Sequence, residues 1–162
     1  MNRIAMVAGI ALAGAFVAQA NAQLTTNKDL TVMTAVTIAQ TAVETCKSQG
    51  YSVSVHVLGR AGEVLVAMRG DDTGPQTFEN SFKKAWTSRA QRAPSLNFAN
   101  AVKQNPTVGA IHLSNMVPAQ GGLPIMVGMD AIGAVGVSGA PGGDKDEACA
   151  KSGLDKVAAD LK

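Results

Sequence analysis

Between Leu30 and Gln49 apolar residues recur at steps of three and four, through Val32, Val36, Ala39, Val43 and Cys46, which predicts an amphipathic helix with one buried stripe. Asn27 or Asp29 is placed to cap it, and Gly50 to end it. The period then changes to two. Val53, Val55 and Val57 alternate with Ser52, Ser54 and His56, so Tyr51 to Leu58 reads as a half-buried strand with a polar outer face. Gly59-Arg60-Ala61-Gly62 makes a turn, and the apolar run from Glu63 to Met68 completes a hairpin.

Arg69 to Pro75 is loop-like, and helical spacing returns from Thr77 to Arg89 through Phe78, Phe82, Ala85 and Trp86, ending before Pro94. Ser95 caps a short helix carrying Leu96, Ala99 and Val102, which Asn105-Pro106 breaks. Thr107 to Gly122 mixes apolar residues with Pro118 and two glycines and fits neither period. Leu123 to Val127 and Ala131 to Ser138 form a second hairpin across Gly128-Met129-Asp130, with Gly133 and Gly136 marking close backbone approach or a bulge. After the glycine- and proline-rich loop 139–143, Asp144 and Glu147 have the spacing of a capping box, opening a helix that buries Ala150, Leu154, Val157 and Leu161. Short turns between neighbouring strands cannot make parallel crossovers, so the order implies an α+β domain with an antiparallel sheet and packed helices.

The start of the chain changes the compartment. Arg3, the apolar run Ile4 to Val17 and Ala20-Asn21-Ala22 have the charge, length and small-x-small pattern of a cleavable signal peptide, residues 1–22. The run is shorter than the roughly 20 residues that span a bilayer, and no second one follows. A periplasmic or secreted single domain of residues 23–162, free of the membrane after cleavage, is therefore expected. Export places Cys46 and Cys149 in an oxidising environment, where one structural disulfide is the default and two buried thiols the alternative. Cys149 flanks the stripe of the last helix and faces Cys46 if the first and last helices pack together.

With Arg3 removed, the 14 basic residues fall to 13 against 12 acidic ones, and there is no basic run that would suit nucleic acid. Lys83-Lys84 reads as a solvated helix face. No CxxC or HxxxH pair suggests a metal centre, and no nucleophile elbow or zinc-protease motif suggests catalytic residues. At 46% hydrophobic and 16% charged, the chain is expected to cover apolar surface by forming a homo-oligomer.

The Gly121 to Ile125 and Gly136 to Asp144 segments, with Gly62 in the hairpin turn, Arg69-x-Asp71 and Lys84-Ala85-x-Thr87, resemble the GlcG/HbpS family of haem-binding proteins over Leu30 to Leu161. The resemblance implies a profilin-like fold and makes non-covalent haem the leading candidate cofactor. Accessory or enzymatic action on a small organic acid is one rival, and a ligand-free structural oligomer is another. Many relatives have Asp where this chain has Gly59, so any role of that carboxylate is absent.

Without Cys-x-x-Cys-His, covalent haem attachment is excluded, and an axial ligand must come from His, Met or Tyr. The candidates are His112, His56, Tyr51, Met68, Met116, Met126 and Met129. Methionines are ordinarily core filler, and His56 shares a polar strand face with serines. The glycine loops suit an anion, such as a carboxylate or haem propionate, through free N–H groups and a helix N-terminus. That small-molecule site is expected to involve Gly121, Gly122, Ser138 and Gly142, with Lys84 and Arg69 adding charge, and its rival explanation is tight strand packing.

Overall fold

The computed structural model describes residues 25–162, so the signal-peptide segment 1–22 lies outside the described residues. Four helices, one 3-10 turn and four strands follow one another as α1 (Val32–Ser48), β1 (Ser54–Leu58), β2 (Val64–Arg69), α2 (Pro75–Gln91), α3 (Ser95–Gln104), the turn Gly109–His112, β3 (Gly122–Val127), β4 (Asp130–Ser138) and α4 (Gly143–Lys156). The strands form one antiparallel sheet in the order β2-β1-β4-β3. This is the α+β architecture expected from the two hairpins, joined here through β1 and β4.

One face of the sheet carries α1 and α4. Val53, Val55, Val57, Val135 and Val137 point into that layer and pack with Ala35, Ile38, Ala39, Cys46, Cys149 and Ala150. Cys46 and Cys149 are fully buried and form a disulfide with Cα atoms 5.6 Å apart, so the first and last helices are joined covalently. α1 starts later than its apolar pattern suggests. Thr31 caps it by accepting the Thr34 N–H at 3.2 Å, while Asp29 is taken up by Arg60. The buried stripe is Ala35, Ile38, Ala39, Ala42 and Cys46. Val32, which opened the predicted stripe, lies in the first turn and is exposed. At α4 the capping box does not form: Gly142 is the N-cap without a side-chain bond, and Glu147 Oε2 is buried without a partner.

The other face carries α2, and its packing is unusual in being polar. β1 is buried along its whole length, so Ser54 and His56 do not face water as the alternation predicts. Ser54 meets Thr77 at 2.8 Å and His56 Nδ1 meets Ser81 Oγ at 2.8 Å. The face that α2 turns to the sheet is accordingly Thr77, Ser81, Lys84, Ala85 and Ser88. Phe78, expected in its buried stripe, is exposed at one edge.

What brings α2 this close is a glycine pair. Gly122 and Gly136 face each other across β3 and β4. A Cβ at Gly136 would run into the backbone of Ser81 and Ala85, and one at Gly122 into the backbone of Lys84. These glycines thus form a shallow furrow in which the helix backbone lies. Gly136→Ala is expected to lower unfolding free energy by roughly 3 kcal/mol, the upper part of the range for overpacking a rigid contact. Urea denaturation measures it, and a loss below about 0.5 kcal/mol, the size of an ordinary surface change, would contradict the furrow.

Candidate functional site

α2 and α4 lie on opposite sides of the sheet, yet they meet beyond its end, where β4 finishes at Ser138 and β3 begins at Gly122. There Lys84 Nζ of α2 donates to Asp146 Oδ2 of α4 at 2.6 Å, with both side chains about 4% exposed. Asp146 Oδ1 accepts the Ala140 N–H at 2.9 Å, which ties the loop 139–141 to the same carboxylate. Burial pushes the Asp146 pKa up, against the opposing pull of Lys84 and the loop N–H groups. Gly121 sits over the pair at φ +125°, and a Cβ there would come within 2.9 Å of both Lys84 Nζ and Asp146 Cβ. A residue with a side chain would therefore displace the ion pair.

The pair forms one wall of a hollow of about 620 Å³, lined among others by Tyr51, Ser52, Thr77, Asn80, Ser138 and the loop 139–141. Asn80 Nδ2 donates to Ser138 Oγ at 3.0 Å on its floor. A second hollow of about 310 Å³ lies beside it, lined by Val43, Lys47, Val53, Met68 and Arg69. Tyr51, Ser52 and Asp72 belong to both, so the two form one trough around Tyr51 with a polar half and a more apolar half. Arg69 is held there by donating to the Thr73 carbonyl at 2.8 Å, and Lys47 makes an exposed pair with Asp71 at 3.5 Å.

The residues singled out from the sequence divide accordingly. Lys84 and Ser138 line the polar half and Arg69 the apolar half. Lys84 is no solvated surface charge, as the adjacent lysine pair suggested; its charge is already matched by Asp146. Gly121 and Gly122 are buried, with the Gly122 N–H given to Ser95 Oγ at 2.9 Å. The Gly122 N–H is thus no free donor, and at both glycines a side chain would meet α2 or the ion pair. Gly142 is the N-cap of α4 and accepts from Lys145 and Asp146 N–H groups through its carbonyl. His112 is exposed on the 3-10 turn and lines none of the hollows described. Asp146 and Tyr51 carry more of the site than their sequence context signals. Asp146 lies in the first turn of α4, where an acidic residue already suits the helix dipole, and Tyr51 stands as one axial candidate among several. Among the described residues there is no group of three or more His, Cys, Asp and Glu side chains that could hold a metal ion, and no helix is long and apolar enough to cross a membrane.

The family follows from comparison with known proteins. A family model described as "Haem degrading protein HbpS-like" matches residues 30–155, and the chain belongs to this HbpS-like family. The structure of HbpS from Streptomyces reticuli, solved as a double Glu-to-Asp mutant, is 36% identical with a TM-score of 0.79, covering 90% of this chain and 98% of that one. The structure of a PduOC–haem complex is 24% identical with a TM-score of 0.71, covering 78% and 93%, and supports the fold. An uncharacterised 15.0 kDa protein from the dhaT–dhaS intergenic region of Citrobacter freundii is 29% identical over 129 residues, 78% of this chain and 90% of that protein.

His56 is enclosed away from the trough. Ser81 Oγ donates to the Phe78 carbonyl at 2.9 Å, so its single proton is used and His56 Nδ1–H is the donor of their shared bond. The rings of Phe78 and Phe82 meet the imidazole edge-on at 4.5 and 5.7 Å. Burial pushes its pKa down from 6.5 to about 4. A depressed pKa means that the folded state binds fewer protons than the unfolded chain between these values, so stability is complete above pH 6.5 and is lost as pH falls toward 4. The loss attributable to His56 is up to about 3 kcal/mol. The loss of stability between pH 7 and pH 4 should be about 3 kcal/mol larger in the wild type than in His56→Gln, as denaturation at the two pH values measures. An NMR titration placing His56 at or above pH 6 would contradict it.

Proposed function

We propose that the protein binds haem non-covalently in the trough around Tyr51. The observation that carries this reading is the position of Tyr51 where the two hollows meet: it is the one axial candidate among the described His and Tyr residues that lines a cavity of useful size. The phenol oxygen is an axial ligand type for haem iron, and bound haem would supply a redox-active, ligand-binding iron centre. Val43 and Met68 offer apolar surface to a porphyrin, while Lys47 and Arg69 provide cations at the rim for its propionates. These residue types fit the group. His56 is committed to Ser81 and the two phenylalanines, and His112 stands apart, so neither histidine is the ligand in this reading. Support also comes from the HbpS-like family description and from PduOC, a relative in fold solved as a haem complex.

Export and self-association belong to the same proposal. The disulfide joining α1 to α4 is of a kind that persists in oxidising compartments, and Val32, Met33, Val64, Phe78, Leu113 and Met129 remain on the surface for a second copy to cover.

Titration with haemin, followed in the Soret region, tests the site. The wild type is expected to saturate at one haem per chain. Tyr51→Phe should shift the Soret band and weaken binding at least tenfold, and His112→Ala should leave both unchanged. A wild-type spectrum in Tyr51→Phe, or loss of binding in His112→Ala, would overturn the assignment.

A further inference from the structure

The end of α2 remote from the trough carries a concentration of positive charge that the haem reading does not use. Arg89 lies in the last turn of α2, and Arg92 is its C-cap in a left-handed conformation at φ 53°. Together with Arg60 from the β1–β2 turn they line a hollow of about 220 Å³, completed by Ala61, Gly62, Trp86 and Ala90. No acidic side chain lines it.

The three arginines are not equivalent. Arg60 is engaged, with Nε donating to Asp29 at 3.0 Å and Nη2 to Asp130 at 2.8 Å. Glu63, at the end of the same turn, accepts the Ala61 N–H at 2.9 Å. Arg89 and Arg92 make no ion pair or side-chain hydrogen bond among the described residues, and Arg89 Nε is buried without an acceptor. A buried guanidinium donor left unmet is costly unless an acceptor comes from outside the chain. The like charges of Arg92 and Arg60, after burial, hold the Arg89 pKa below its ordinary value, a repulsion that a bound anion would relieve. The carbonyl end of α2 opposes an anion with roughly half a negative charge, less than the charge of either unpaired arginine.

We propose that this hollow is a binding site for a small oxyanion, a phosphate or carboxylate group held in a forked contact by Arg89 and Arg92 against the Trp86 ring. The hollow admits a ligand of only a few heavy atoms around that anionic group. Guanidinium groups suit the class, because their planar donor pairs match the oxygen spacing of carboxylate and phosphate. Gly62 keeps the wall flat: a Cβ there would come within 2.7 Å of the Trp86 ring.

Trp86 is the only tryptophan in the chain, so it reports on this hollow alone. The protein is titrated with inorganic phosphate and, separately, with succinate, while ionic strength is held constant with sodium chloride. A saturable change in tryptophan emission is expected. Arg92→Gln, at an exposed position, and Arg89→Gln should each raise the half-saturating concentration at least tenfold, with unchanged far-UV circular dichroism. Lys151→Gln on α4 should titrate as the wild type. Saturation by phosphate alone identifies a phosphorylated ligand, by succinate alone a carboxylate, and by both a site selecting charge and size. Emission that responds to neither anion beyond the chloride control, or arginine variants that titrate as the wild type, would overturn the proposal.

Discussion

The contact between Lys84 and Asp146 is the interaction on which the arrangement of the whole site depends. It is a direct link between the helix on one face of the sheet and the helices on the other, made around the sheet end and nearly out of water. Two charges so placed have given up most of their hydration, and their attraction offsets this only while the geometry is good. The raised pKa of Asp146 records that penalty. Several local features are understandable as conditions for the pair. Gly121 leaves the space it occupies, the Ala140 N–H satisfies the second carboxylate oxygen, and the disulfide and the Ile38 layer hold α4 in place behind it. The loop 139–141, fastened to Asp146, is in turn a wall of the trough beside Tyr51. The ion pair and the wall of the trough are thus coupled through one carboxylate.

The polar interface under α2 has a related logic. Serine, threonine and glycine let the helix backbone approach the sheet more closely than valine or leucine would, and each hydroxyl buried there finds a partner. The furrow positions α2 as a rigid rod. Its first ten residues carry Thr77, Asn80 and Lys84 to the trough, and the remainder carries Trp86 and Arg89 to the cationic hollow. Two hollows of different lining are therefore held at opposite ends of one helix. Strand β1 connects the same two places, from Ser52 at the trough to the turn at Gly59–Gly62.

Much of the fold is legible in the sequence because most elements obey a hydrophobic period. Both hairpins and the helices follow from it, and the Cys46–Cys149 pairing is the default once export is expected. The period fails where polar packs on polar. Ser54 and His56 alternate with valines as an outward face would, and nothing local reveals that Thr77 and Ser81 cover them. The same blindness hides the site. Lys84 and Asp146 are separated by 62 positions, so each looks like an ordinary surface charge until the chain brings them together. The sequence leaves open whether the glycine-rich segments offer free donors or allow tight packing, and at Gly121 and Gly122 the absent side chain makes room for α2 and the ion pair. The arginines of the second hollow come from two separate stretches and form no motif.

The central claim is that Lys84 and Asp146 act as a unit, and a double-mutant cycle measures this most directly. Lys84→Met, Asp146→Leu and the double variant are compared with the wild type by urea denaturation at pH 7. Each single change leaves one buried group without its partner and should cost about 3 to 5 kcal/mol, while the double variant removes both and should cost no more than either single change. The coupling energy expected is thus at least about 3 kcal/mol. Single losses that simply add in the double variant, within about 0.5 kcal/mol, would contradict the account.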